Sequence, residues 1–179
     1  MFINDFFSFV ESIKLSSKII SFHRHGKTVL NDGTFLGVKR RFSYALRLPK
    51  IIIDDYAHHP SEIKAVYDTI KDLYPNKKNT AIFQPHLYTR TRDFMSEFAE
   101  ILSKFDNIIL TQIYPAREKP ITNISSEKLL ELIDNKNKSL LNKSDLSNSL
   151  KESDSEVFVI MGAGDIADEV ELIKNNILN

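Results

Sequence analysis

Two carboxylates, a tyrosine and two histidines follow one another in the stretch Asp54-Asp55-Tyr56-Ala57-His58-His59-Pro60. Histidines and carboxylates can bind charged ligands and exchange protons near neutral pH. The wholly apolar Ile51-Ile52-Ile53 precedes them, and Pro60-Ser61-Glu62-Ile63 has the residues of a first helical turn. The stretch therefore follows a predicted buried strand, where open α/β sheets bind ligands. The alternative is that its members are solvated polar residues and helix caps.

Residues 83–93 and 114–121 repeat this arrangement after the next two predicted strands. The first segment contains His86, Arg90 and Arg92, and the second contains Arg117. Guanidinium groups bind phosphate or carboxylate through paired hydrogen bonds, and a helix N-terminus favours negative charge. The arginines could instead be surface residues. Taken with the first stretch, the three clusters predict one crevice edge suited to an anionic ligand.

A short glycine-containing segment, Gly162-Ala163-Gly164-Asp165-Ile166, follows the last predicted strand. It lacks the third glycine of the dinucleotide-binding fingerprint. We therefore favour a tight strand-to-helix turn over a nucleotide site, with Asp165 capping the helix that follows.

Strands and helices alternate from residue 50 onward. Strands are predicted over 51–54, 80–84, 107–111 and 157–161, and helices over 61–73, 91–105, 125–134 and 165–178, with a weaker strand and a short helix within 139–151. Such alternation is typical of an α/β fold with a doubly wound, mostly parallel, Rossmann-like sheet. Residues 42–48 alternate like a half-buried strand. In residues 1–36 we predict a helix over 5–15 and short strands over 18–22 and 28–30 that form a hairpin.

Composition narrows the class of protein. The 24 basic and 24 acidic residues among 179 balance, so bulk charge indicates neither nucleic acid nor an anionic membrane as a partner. No run is apolar enough to span a bilayer, and we expect no signal peptide. The absence of cysteine excludes disulfides and thiolate metal sites and fits a cytoplasmic location.

The motifs at 37–42, 54–60, 83–93, 114–121 and 162–166 together resemble the C-terminal domain of the Mur ligases. The resemblance covers residues 37–179 and leaves 1–36 as an N-terminal extension of unclear origin. It is strongest to the family member that adds L-alanine, and implies an ATP-driven amide ligation. In that reaction the carboxylate of UDP-N-acetylmuramate attacks ATP to give an acyl phosphate, and the amine of L-alanine then displaces phosphate.

The resemblance also implies roles for particular residues. Asp55 would bind the ribose hydroxyls of ATP, Tyr56 would lie near the adenine, and Arg40 or Arg41 would reach its phosphates. The residues expected to face the acyl phosphate and the amine are His58 and Arg90. Weaker candidates for substrate binding are His59, His86, Arg92 and Arg117. We expect no metal site in this chain, because Mg²⁺ would come with ATP and another domain of the ligase.

Two departures from the family pattern qualify these expectations. Leu87 stands where many members carry arginine. The chain also lacks the glycine-rich phosphate loop and the UDP-sugar domain of the family. We therefore expect a fragment with little ligase activity alone, to which the missing domains could be supplied in trans. Two alternatives stay open: a fragment of the murein-peptide recycling member of the family, and a non-catalytic module that binds a nucleotide or a protein partner.

Overall fold

The computed structural model describes residues 21–24, 27–30 and 40–179, and the chain divides into two compact units between Lys39 and Arg40. In the first unit, β1 (Ser21–Arg24) and β2 (Lys27–Leu30) pair antiparallel, with Ser21 opposite Leu30. This pairing confirms a hairpin over 21–24 and 27–30, while residues 18–20 of the predicted first strand lie outside the described residues. The helix predicted over 5–15 and residues 37–39 of the first family motif lie outside the described residues.

A six-stranded sheet forms the centre of the second unit. Its strands are β3 (Ser43–Leu46), β4 (Ile51–Asp55), β5 (Asn79–Phe83), β6 (Asn107–Leu110), β7 (Lys138–Leu140) and β8 (Val157–Met161). Their order across the sheet is β3-β4-β8-β5-β6-β7, and every neighbouring pair except β3 and β4 is parallel. β5 and β8 are buried at every residue, as parallel strands covered on both faces must be.

Helices cover both faces of this sheet. They are α1 (Pro60–Leu73), α2 (Tyr88–Asp93), α3 (Met95–Leu102), α4 (Ser126–Leu132), α5 (Lys143–Glu152) and α6 (Glu169–Leu178), with a 3-10 turn at Asp165–Asp168 before α6. One apolar core joins α1, α3 and α4 to one face, and a second core joins α5 and α6 to the other. The α/β, doubly wound, mostly parallel sheet is thereby confirmed. In the part of the chain described, no helix combines the length and apolar character that crossing a bilayer requires.

The helix predicted over 91–105 is instead two helices, α2 and α3, which meet at Phe94. Phe94 has φ −123° and ψ 23°, which is not helical, and its N–H donates to the Arg90 carbonyl to close α2. Its ring packs edge-on against His59, with centroids 4.6 Å apart. The apolar spacing that predicted one helix correctly marks buried positions, but the backbone of Phe94 is not helical and its ring contacts the loop before α1.

The strand order brings the polar clusters together. Asp55, Met161 and Phe83 occupy one row across β4, β8 and β5, at the carboxyl end of each strand. The chain passes from β4 to β5 and later returns to place β8 between them. The crevice beyond such a reversal is the usual ligand site of open α/β sheets.

Candidate functional site

Asp55 anchors the loop that follows β4. The residue is only 6 % exposed, and its carboxylate accepts hydrogen bonds from the backbone N–H of Phe42 (2.6 Å) and Ala57 (2.7 Å). Burial raises the pKa of Asp55 to about 6, although the two hydrogen bonds favour the ionised form. These contacts support a positioning role in which Asp55 ties the entry segment to the histidine loop. Its predicted contact with ribose hydroxyls stays a prediction.

His58 is held by a carboxylate that the sequence reasoning did not single out. Its Nδ1 lies 2.9 Å from the carbonyl oxygen of Tyr56 and 3.1 Å from Oε2 of Glu62. Both neighbours can only accept from it, so Nδ1 carries the proton and Nε2 is the ring nitrogen available to a ligand. Partial burial alone would raise the pKa of Glu62, but hydrogen bonds from His58 and His59 lower it to about 2.

His59 has a structural position at the start of α1. It is the N-cap residue, with Nδ1 accepting from the Ser61 N–H at 3.4 Å, while Glu62 accepts from the His59 N–H at 3.1 Å. Glu62 is the third residue after His59, the spacing of a capping box. That spacing is the signal that could have identified Glu62 from the sequence. The predicted substrate contact of His59 stays a prediction.

His86 and Arg90 lie beside His58 across the crevice. The rings of His58 and His86 are 6.2 Å apart, and Arg90 Nη1 donates to His86 Nδ1 at 3.3 Å. Burial, followed by the charge of Arg90, lowers the pKa of His86, so this imidazole is neutral at pH 7. The His86 ring also stacks on Tyr114, with centroids 5.5 Å apart. The pair presents a guanidinium and a neutral imidazole to the same space, which suits oxyanions.

Arg40 and Tyr56 form the other end of the edge. Arg40 donates from Nη2 to the carbonyl oxygen of Gly162 at 2.5 Å and from Nε to Asp54 at 3.3 Å. Its guanidinium carbon lies 5.1 Å from the centroid of the Tyr56 ring. Tyr56 is 46 % exposed, so one aromatic surface next to a cation remains open to solvent. Such a surface can pack against a base.

The glycine segment after β8 is a tight turn, as predicted. Gly162 has φ 153°, and a Cβ on Gly164 would lie 2.5 Å from Gln84 Oε1 and 2.6 Å from Tyr114 Cγ. The buried Gln84 accepts from the N–H of Ile166 at 3.1 Å. Gln84 follows β5, so it joins the ends of β5 and β8.

The predicted helix cap at Asp165 is wrong. Gly164 holds the N-cap position, without a side-chain cap. The Asp165 carboxylate instead accepts from Gln84 Nε2 at 2.8 Å and pairs with Lys143 at 2.5 Å. Two long-range partners therefore draw the side chain away from the helix start.

The N-terminus of α2 is already occupied by a side chain of this protein. Glu118, from the loop after β6, accepts from the N–H of Thr89 at 3.0 Å and from its hydroxyl. Leu87, the N-cap residue, has φ 73°, a strained value for a residue with a side chain. Its N–H donates to the carbonyl of Tyr114 at 2.9 Å, which helps to hold the strained backbone. An anion would therefore meet the Arg90 side chain, since the backbone N–H of Thr89 is already bonded.

Three predicted site residues are not drawn into this edge. Arg41, Arg92 and Arg117 are exposed, and Arg92 donates from Nε to its neighbour Asp93 at 2.7 Å. The residues that the fold gathers at the edge are Arg40, Asp55, Tyr56, His58, His59, His86 and Arg90. The proximity of these side chains supports a shared site, while the role of each residue stays a prediction.

Among the described residues, no group of three or more His, Cys, Asp or Glu side chains is arranged to hold a metal ion. Apart from the carboxylate of Asp55, which already accepts two backbone hydrogen bonds, the side chains gathered at the edge are guanidinium groups, imidazoles and a tyrosine ring, which suit aromatic and anionic groups better than a cation. We therefore assign no chemical step to a metal held by these residues.

A separate cavity of about 310 Å³ opens near the amino ends of β5, β6 and β7, lined in part by Thr80, Asn107, Lys138 and Asp154. The polar groups at its base bond to one another: Thr80 Oγ1 and Asn107 Nδ2 each lie 2.8 Å from Ser155 Oγ. The cavity is at the opposite end of the strands from the histidines and takes no part in the candidate site.

Known proteins resemble the chain in both sequence and fold. The family model for the Mur ligase, glutamate ligase domain, matches residues 40–168. A UDP-N-acetylmuramate–L-alanine ligase of Christiangramia forsetii is 54 % identical over 147 residues, which are 82 % of this chain and 32 % of the relative. The chain thus spans about a third of the length of that relative.

Solved structures agree with the sequence comparison. The UDP-N-acetylmuramate-alanine ligase of Thermotoga maritima superposes with a TM-score of 0.63 at 30 % identity, covering 79 % of this chain and 30 % of the other. A murein peptide ligase of Psychrobacter arcticus has a TM-score of 0.63 at 19 % identity, covering 82 % and 31 %, and shows a common fold. The domain match extends over most of the residues that build the sheet and the crevice edge. On this match, the chain belongs to the Mur ligase family.

Proposed function

We propose that this chain is the C-terminal part of a UDP-N-acetylmuramate–L-alanine ligase, an ATP-dependent enzyme of peptidoglycan biosynthesis. The observation that carries the proposal is the cluster of His58, His86 and Arg90 at the carboxyl edge of the sheet, in a chain 54 % identical to such a ligase. Residues 37–179 would form the ligase domain, and residues 1–36 an N-terminal extension. Consumption of ATP agrees with the cytoplasmic location expected from the sequence.

The proposed reaction has two steps that both develop negative charge on oxygen. An oxygen of the muramate carboxylate attacks the terminal phosphorus of ATP, and ADP leaves. The amine of L-alanine then attacks the acyl carbon, and phosphate leaves. Donors already in place stabilise such charge at little reorganisation cost. The Arg90 guanidinium and the imidazole of His86, whose Nδ1 accepts from Arg90 and whose Nε2 is therefore the donor, would serve this purpose here. His58, whose free Nε2 is an acceptor, would face the incoming amine.

The other end of the edge would receive the nucleotide. The exposed ring of Tyr56 would pack against the adenine, with Arg40 beside it. Arg40 also bonds to the carbonyl of Gly162, which ties the loop after β4 to the turn after β8. Binding therefore requires little rearrangement of these two loops. Mg²⁺ would accompany ATP and be held by groups of the central ligase domain.

A chimeric enzyme tests the proposal. The C-terminal third of the Christiangramia forsetii ligase is replaced by residues 40–179 of this chain, and phosphate release is followed with ATP, UDP-N-acetylmuramate and L-alanine. We expect turnover that depends on all three substrates. Within the chimera, Arg90→Ala should lower turnover by about 100-fold, the scale of losing one oxyanion donor. Glu152→Gln, at the exposed end of α5, is the matched control and should leave turnover unchanged.

Two outcomes would contradict the proposal. A folded chimera with no activity would indicate a domain that binds without supporting ligation. A chimera that accepts the tripeptide of murein recycling in place of L-alanine would favour the recycling ligase. Melting temperatures of the chimera and its variants identify any loss that comes from unfolding.

The isolated chain should show little or no alanine-dependent ATP hydrolysis, because the proposed reaction needs reactants held by other domains of the ligase. Phosphate release by the purified chain, with and without L-alanine, measures this. Alanine-dependent release without added domains would contradict it. Recovery of activity on adding the other ligase domains would show that they act in trans.

A further inference from the structure

The loop after β6 is joined to the loop after β5 by backbone hydrogen bonds. The backbone N–H of Tyr114 donates to the carbonyl of Pro85 at 2.8 Å, and the backbone N–H of Leu87 donates to the carbonyl of Tyr114 at 2.9 Å. His86 and Tyr114 form an isolated parallel bridge at the same place. The loop then turns, with Glu118 N–H donating to the carbonyl of Pro115 at 2.9 Å. This turn directs the Glu118 carboxylate to the first turn of α2.

Glu118 makes the contacts that fix the start of α2. One carboxylate oxygen accepts from the Thr89 N–H and the other accepts from the Thr89 hydroxyl. The α2 helix is only six residues long, so few internal hydrogen bonds hold it. Arg90 is the next residue, and its guanidinium bonds to His86. The direction of Arg90 therefore depends on how firmly Thr89 is held.

We infer that Glu118 is a positioning residue, which holds the first turn of α2 so that Arg90 and His86 point together into the crevice. This inference deepens the proposed function and rests on it for the purpose that Arg90 serves. The two hydrogen bonds between Glu118 and Thr89, here called the Thr89–Glu118 clamp, lie within this chain, so they can be tested without any ligase activity.

The charge of Glu118 acts on the same site. Hydrogen bonds from Thr89 lower the pKa of Glu118, so its carboxylate is ionised at neutral pH. The charged or titratable groups facing His86 are Arg90 and His58, which lower its pKa, and Glu118, which raises it, with burial the largest influence. The Tyr114 ring stacks on the other face. Removing the carboxylate should therefore lower the pKa of His86 further.

Three variants of the full chain separate the hydrogen bonds from the charge. Glu118→Ala removes both. Glu118→Gln removes the charge but keeps one oxygen that can accept from the Thr89 N–H, and its NH2 can donate to the Thr89 hydroxyl. Glu152→Gln removes a charge from the end of α5, at the opposite end of the strands. Nuclear magnetic resonance gives the His86 pKa, the exchange rate of the Thr89 amide, and the order of the Arg90 side chain from relaxation of its Nε–H. Thermal melting monitors overall stability.

In Glu118→Ala we expect at least tenfold faster exchange of the Thr89 amide, a disordered Arg90 Nε–H and a lower His86 pKa. Glu118→Gln should retain the order of Arg90 while the His86 pKa still falls, because the negative charge that raises it is gone. Glu152→Gln should change none of the three. If Arg90 stays ordered and the Thr89 amide stays protected in Glu118→Ala, the inference is wrong. None of these measurements uses the activity of the chimera, so the inference about Glu118 and the proposed function can be contradicted independently of each other.

Discussion

Two carboxylates at opposite ends of one loop show how environment sets the behaviour of a residue. Asp55 and Glu62 each accept backbone hydrogen bonds near the start of α1, yet the pKa of Asp55 is raised and that of Glu62 is lowered. Burial dominates at Asp55, whereas the bonds from His58 and His59 overcome partial burial at Glu62. The two residues therefore give stability contributions of opposite sign as pH changes.

Asp55 should make the protein less stable as pH rises. Its folded pKa of about 6 lies above the ordinary value of 3.8, so the folded state binds the proton more tightly. The contribution is full below pH 3.8 and is lost as pH rises through 6, on the order of 3 kcal/mol. Asp55→Asn should remove this dependence, which urea unfolding between pH 4 and 7 measures. An identical pH dependence in both proteins would contradict the assignment.

Glu62 should act in the opposite direction at lower pH. Its folded pKa of about 2 lies below the ordinary 4.5, so its contribution is present above pH 4.5 and is lost as pH falls through 2. Because the side chain is 41 % exposed, solvent screening limits the contribution to about 1 kcal/mol. Glu62→Gln should flatten the acid limb of the stability profile and free the His58 ring. If the His58 ring signals of the variant match those of the parent chain, Glu62 does not hold it.

At the scale of elements, regular patterns were predictable and long-range partners were not. The apolar run at 51–53 and the spacing in α1 depend on neighbouring residues, so they predicted β4 and α1 correctly. The break at Phe94 depends on its contact with His59, which is 35 positions away in sequence. The clamp between Thr89 and Glu118 spans 29 positions and depends on strand order. The motifs located the candidate edge, but no local pattern could show which carboxylate meets which loop.

The turn between β8 and the 3-10 helix should tolerate no added side chain at Gly164. A Cβ there would lie 2.5 Å from Gln84 and 2.6 Å from Tyr114, both held by other contacts. Gly164→Ala should therefore lower the free energy of unfolding by about 1–3 kcal/mol, as overpacking does. Ala163→Gly, in the same turn, is the control and should cost at most about 1 kcal/mol. Equal urea midpoints for Gly164→Ala and the parent chain would show that the turn can open.

At the scale of the whole molecule, the sheet and the crevice edge come from one continuous segment. All six strands of the sheet, and every core residue that the structure describes, lie within 40–179. Among the described residues, helices of the same segment cover the two sides of the sheet. Under the proposed function, the crevice edge is the surface that another ligase domain would meet.

A segment with its own two cores should fold alone. We expect residues 40–179, produced without residues 1–39, to unfold in one cooperative transition, because compact segments of this length that bury a complete core usually do. The melting temperature should lie within a few degrees of that of the full chain, and His58 and His86 should keep their NMR chemical shifts. Calorimetry and two-dimensional spectra of the two proteins measure this. A broad transition, or shifts at both histidines, would mean that residues 1–39 complete the fold or the edge, and that the two compact units act as one.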